Sequence, residues 1–108
     1  MAADRDRYLL GLPLAHAPGT HWDYCGGATA LLGEIIERVS GQPLLALAQQ
    51  TLFGPMGITE VSWRTGWRNK AVAFAGLRLT PRGLAQLGRL MLDGGRCRRW
   101  LAIRVAEV

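Results

Sequence analysis

The sequence predicts a mainly helical fold with short strands. Apolar residues recur with a helical period over 27–40. A threonine-proline start signal opens a second periodic run at residue 81. Between 59 and 79 the pattern changes to short extended pieces.

The elements follow in order. Residues 1–23 read as an irregular lead-in, punctuated by Pro13 and by the turn signal Pro18-Gly19. Ala28, Leu31, Leu32, Ile35, Ile36 and Val39 then fall on one face of a helix over about 27–40. Gly41 stops it as a C-terminal glycine. Pro43 suits the first turn of a second helix, over about 43–53, whose apolar content comes from Leu44, Leu45, Leu47, Leu52 and Phe53. Gly54-Pro55 ends it, because the residue before proline is pushed out of the helical region. Val61 and Trp63 alternate with polar neighbours and suggest a strand, while 71–79 reads as buried strand or coil. Thr80 caps a third helix over about 81–92, with Leu84, Leu87 and Met91 on one face and Gly94-Gly95 as its stop. Gly83 stands at N3, where a carboxylate would bond back to the cap.

The 108 residues fit one domain or part of one. With 49% of residues apolar a core can form, yet a chain this short buries a modest share of its surface. No stretch has the apolar length of a membrane span. The first twenty residues lack a signal-peptide pattern, so the chain as it stands is expected in the cytoplasm, with the native compartment unassigned. Cys25 and Cys97 have no metal-ligand spacing and read as free thiols, and His16 and His21 complete no metal site. The net charge of +5 is carried by residues 78–108, where seven arginines face Asp93 and Glu107. A basic tail over 97–108 can attract nucleic acid or an acidic membrane surface. No stacking aromatics or nucleic-acid motif accompany it, so no nucleic-acid partner is expected.

No complete catalytic motif is present. The sequence has no Walker loop, GxGxxG, HExxH or GxSxG. Ser40 and Ser62 are its two serines, and neither precedes a lysine by three positions. Glu34 and Glu37 read as a solvated helix face rather than an acid/base pair.

The chemistry is carried by an ordered series of short patterns. Pro18-Gly19-Thr20 precedes Tyr24-Cys25-Gly26, then Leu31-Leu32-Gly33, then Leu52-Phe53-Gly54-Pro55-Met56-Gly57-Ile58. Gly76-Leu77, Thr80, Leu84-Ala85, Gly88, Leu90, Leu92 and Gly94-Gly95 follow in step. From about Pro18 to Arg96 this order resembles serine hydrolases of the class C β-lactamase and penicillin-binding-protein type. The resemblance implies the helical subdomain portion of an α/β β-lactamase/transpeptidase-like fold, with 1–108 as a partial domain.

It also implies roles. Tyr24 would be the tyrosine of a Y-x-N motif, relaying a proton to and from a nucleophilic serine. The asparagine position is Gly26, so no side-chain amide stands there. The SxxK nucleophile and the K/H-T-G strand of the family are absent from this sequence. Arg64-Thr65-Gly66 superficially matches the latter, but in the wrong place relative to Tyr24. Gly83 replaces the family's usual aspartate. The resemblance fades beyond Arg96, as a shifted reading frame would produce; coding DNA in normal frame on both sides would argue against that. The expectation is a piece of a serine hydrolase acting on an amide, ester or β-lactam, inactive alone, with no metal and no organic cofactor. Its expected partners are the remainder of its own domain, a small amide or ester substrate in the intact relative, and further copies of itself. A helical protein-interaction module and a basic nucleic-acid or membrane-surface binder are the alternatives.

Overall fold

The computed structural model describes residues 4–97 and 100–101. Part of the basic tail, including Arg98, Arg99 and Arg104, lies outside the described residues.

The first element corrects the irregular lead-in. Helix α1 spans Arg5–Leu10, because the Asp4 side chain accepts the N–H groups of Asp6 and Arg7 at 3.1 and 3.2 Å. Such a cap contributes about 1 kcal/mol. The chain then turns at Pro18-Gly19, where Gly19 takes φ 81° and the Thr20 N–H reaches the Ala17 carbonyl at 3.2 Å. Positive φ at the third position is why glycine follows proline there.

Helix α2 spans Gly26–Ser40 and ends at Gly41, which is left-handed (φ 70°) and donates to the Glu37 carbonyl at 2.9 Å. Its burial differs from the apolar periodicity. Ala30 and Gly33 are the buried residues, while Leu32, Ile35, Ile36 and Val39 are exposed. The small face lies inward because it permits close approach: a Cβ on Gly33 would stand 2.6 Å from the Ala73 Cβ.

Helix α3 is Leu44–Ala48, shorter than the 43–53 expected. The backbone widens into a π turn over Gln49–Phe53, and the Gly54 N–H bonds the Gln49 carbonyl at 2.8 Å. A Cβ on Gly54 would lie 2.6 Å from that oxygen, so the closure needs glycine. Phe53 is thereby turned inward and only 2% exposed. Burying a side chain of this kind stabilises by about 1.5–3 kcal/mol.

Strand β1 (Val61–Trp63) pairs antiparallel with β2 (Leu77–Leu79), with Trp63 opposite Leu77. The expected strand or coil over 71–79 is therefore strand only in its last three residues. The loop between them is braced by the Trp63 indole N–H, which donates to the Val72 and Ala75 carbonyls at 2.8 and 3.1 Å.

Helix α4 is Pro81–Leu92, capped by Thr80 Oγ1 on the Gly83 N–H at 3.0 Å. Gly83 is buried, and a Cβ there would lie 3.3 Å from Ile58 Cγ2. The missing carboxylate at N3 is explained by this close packing. Leu90 is the helix's buried leucine, whereas Leu84 and Met91, on the expected core face, are exposed. Strands β3 (Arg96–Cys97) and β4 (Trp100–Leu101) form a short hairpin. The small core consists of Ala30, Leu44, Phe53, Ile58 and Leu90, and α4 packs on β2.

Candidate functional site

Tyr24 stands one residue before the cap of α2 and is 84% exposed. Trp22, also exposed, meets its ring edge-on at a centroid distance of 6.5 Å. Extended backbone at Cys25 (φ −138°) leads directly into the helix at Gly26. The side chain of Phe74 covers position 26: a Cβ on Gly26 would contact its Cγ at 3.6 Å and its Cδ2 at 3.7 Å. An aromatic ring therefore borders the place where a Y-x-N motif would carry its amide. Nothing in the sequence near residue 26 signals a neighbour 48 positions away.

A second polar constellation lies further along α2. The Lys70 ammonium donates to both oxygens of Glu34, at 2.9 and 2.7 Å, and stands 3.5 Å from Glu37. Arg38 adds a bond to Glu34 at 3.2 Å. The other oxygen of Glu37 accepts the Leu44 N–H at 3.0 Å, serving the start of α3 where Pro43 cannot cap. The two carboxylates are thus not a solvated face; their side chains are 11% and 14% exposed. The Lys70 hydrogen bond is the main cause that holds the Glu34 carboxyl below its ordinary range, against an opposing effect of burial. The same bond raises Lys70.

These two groups are separate. Glu34 follows Gly26 by eight residues, about 12 Å along a helix. The lysine is committed to carboxylates there. Arg64-Thr65-Gly66 runs from the end of β1 into the loop, with Thr65 bridging to Ala71. His16 and His21 stack at 3.8 Å across the Pro18-Gly19 turn. Cys25 and Cys97 are free thiols. Among the described residues no three His, Cys, Asp or Glu side chains gather as a metal site, and no helix is long and apolar enough to cross a membrane.

A family model described as beta-lactamase matches residues 1–98. The chain belongs to the β-lactamase family. Among curated relatives, a lovastatin esterase of Penicillium rubens is 34% identical over 87 residues, covering 81% of this chain and 21% of that protein. Esterase EstB of Burkholderia gladioli is 39% identical over 54 residues, covering 50% of this chain and 14% of its own. A D-aminopeptidase of Brucella anthropi is 40% identical over 42 residues, 39% of this chain and 8% of that one. In shape, the chain superposes on a Bacillus anthracis protein assigned as a 6-aminohexanoate-dimer hydrolase, with a TM-score of 0.80 and 26% identity, over 89% of this chain and 25% of the neighbour. This β-lactamase-family chain thus spans about a fifth to a quarter of the lovastatin esterase and of the solved structure. Its relatives are serine hydrolases of the esterase and peptidase kinds, and its roughly half-helical architecture is part of a β-lactamase-like fold.

Proposed function

We propose that this chain supplies the helical part of a serine hydrolase that cleaves amide or ester bonds through an acyl-enzyme, with Tyr24 as its proton-transfer group. The supporting observation is the placement of Tyr24: a phenol held out to solvent at the head of α2, in a chain whose shape follows the solved relative at a TM-score of 0.80. In its phenolate form a side chain so placed can take the proton of a serine hydroxyl, and as the resulting phenol it can return that proton to the leaving group. The serine, a lysine able to lower the phenol and a second oxyanion donor belong to elements this sequence does not contain. The chain alone is therefore inactive on this reading.

The test is a burst assay with p-nitrophenyl butyrate and a chromogenic cephalosporin. The isolated chain is expected to give no stoichiometric burst. A saturable burst abolished by Tyr24→Phe would overturn the inactive-alone part of the proposal. Sequencing the flanking DNA tests the rest: an SxxK upstream and a K/H-T-G strand downstream support it, and neither being there counts against it.

A second reading has its own observation. Leu32, Ile35, Ile36 and Val39 form an exposed apolar face on α2, with Val39 84% exposed. Large uncovered apolar patches mark contact surfaces. This face would meet the remainder of the domain or, in the isolated chain, another copy.

A further inference from the structure

A cleft of about 670 Å³ opens between the end of α2, the start of α3 and the loop carrying Lys70. It lies away from Tyr24, and nothing in the hydrolase reading uses it. We propose that this cleft binds a small aromatic carboxylate, its ring against Trp63 and its carboxylate on Arg38.

The volume suits a small molecule, since such sites commonly span about 300–1,000 Å³ with apolar walls and a few polar groups. Leu44, Leu45 and Trp63 supply apolar wall. The indole is fixed in advance, because its N–H is bound to two backbone carbonyls at 2.8 and 3.1 Å. A fixed aromatic face lowers the ordering cost of stacking a ligand ring.

The charges select the ligand's sign. Lys70 is committed to Glu34 at 2.7 Å, and Glu37 is shared between Lys70 and the Leu44 N–H. Arg38 differs. Its Nε donates to Glu34, while its two terminal amino groups have no protein partner among the described residues. A guanidinium edge at the rim of an apolar cleft fits a carboxylate.

A separate observation falls on the same rim. Asn69 lines the cleft, and both it and Arg68 adopt left-handed backbone at φ 56° and 53°. Asparagine takes that region readily, but arginine does not, so Arg68 beside the rim stores strain of the kind that clusters at ligand clamps and active sites.

The experiment is a titration of the full chain with naphthalene-2-carboxylate, followed by ¹H–¹⁵N chemical shifts. The expected result is a saturable shift of the Trp63 indole N–H together with the Leu44, Leu45 and Asn69 amides. Arg38→Gln, at an exposed position, should weaken binding about 3- to 10-fold while leaving the circular dichroism unchanged. Naphthalene-2-carboxamide, which needs no variant, should bind more weakly by a similar factor. No saturable shift, shifts centred on the outer face of α2, or equal binding of acid and amide would each overturn the proposal.

Discussion

The Lys70 ammonium is held against Glu34 at 2.7 Å although the two residues stand 36 positions apart in the chain. The bond pins the β1–β2 loop to the middle of α2, and Glu37 carries it on to the first turn of α3. One lysine thus fastens three segments whose shared apolar core is small. Lys70→Met should cost about 1.5–3 kcal/mol, because a charged hydrogen bond is lost and two largely buried carboxylates lose the ammonium they share. Chemical denaturation measures this. Adding Glu34→Gln should recover part of the loss, so a strictly additive double mutant would count against the pinning role.

The same pair sets the pH limits of stability. Glu34 is held below its ordinary value of 4.5, so its contribution is present above that pH and is lost as pH falls through the lowered folded value. Lys70 is raised above its ordinary 10.5, so its contribution is complete below that pH and is lost as pH rises through the raised value. The wild-type midpoint should therefore change little through this pair between about pH 5 and pH 10. Lys70→Met should lose the alkaline limb that belongs to this bond. An unchanged alkaline limb in that variant would place the titration elsewhere.

Gly33 and Ala73 supply the next outcome. Alanine gains up to about 1 kcal/mol over glycine inside a helix. At position 33 the new Cβ would lie 2.6 Å from the Ala73 Cβ, a separation that forces the loop away. Gly33→Ala should thus destabilise by about 1–3 kcal/mol despite the better helix former. Ala73→Gly in the same chain should return most of that loss. A melt in which Gly33→Ala gains stability would show that the α2–loop contact is loose.

This contact also marks what the sequence could and could not show. The helical period of α2, the Gly41 stop and the Thr80-Pro81 start were all legible, since each rests on local backbone chemistry. The inward face was not. Apolar periodicity pointed to Leu32, Ile35 and Val39, but Ala30 and Gly33 are buried, because small residues let the loop approach α2 closely. The π turn was hidden for a related reason. Gly54-Pro55 does mark the end of a helix, but not by expelling Gly54 from the helical region, since it keeps φ −57° and ψ −54°; the widening at Gln49 depends on a glycine amide reaching five residues back. Of the functional groups, Tyr24 was marked by its flanking pattern. Phe74 beside Gly26 and Lys70 on Glu34 are contacts between distant segments with no periodic trace.

At the head of α2, Tyr24 and Gly26 should prove dispensable for folding. Among the described residues no hydrogen bond holds the Tyr24 hydroxyl in place, so Tyr24→Phe should change stability by less than about 0.5 kcal/mol. Gly26→Asn would set its Cβ at ordinary contact distance from Phe74, 3.6 Å from Cγ. It should fold with a change under about 1 kcal/mol and shift the Phe74 ring resonances. A large loss from Tyr24→Phe would mean that its hydroxyl is tied up in a structural hydrogen bond, and the proton-transfer role would lose its support.

The exposed face of α2 yields the last prediction. Leu32, Ile35, Ile36 and Val39 lie within two turns, and no charged residue interrupts them. Water contact along such a face costs about 25 cal/mol for each Å² of apolar surface left uncovered. Two copies of the chain can cover it against each other, since the face is uncharged and carries no like-charge repulsion. Sedimentation velocity should therefore show concentration-dependent association of the wild-type chain. Ile35→Lys with Val39→Glu should shift it to monomer at equal helicity, because both positions are exposed. A wild-type chain that stays monomeric throughout the concentration series would exclude this face as a self-contact and leave a partner of different sequence as its cover.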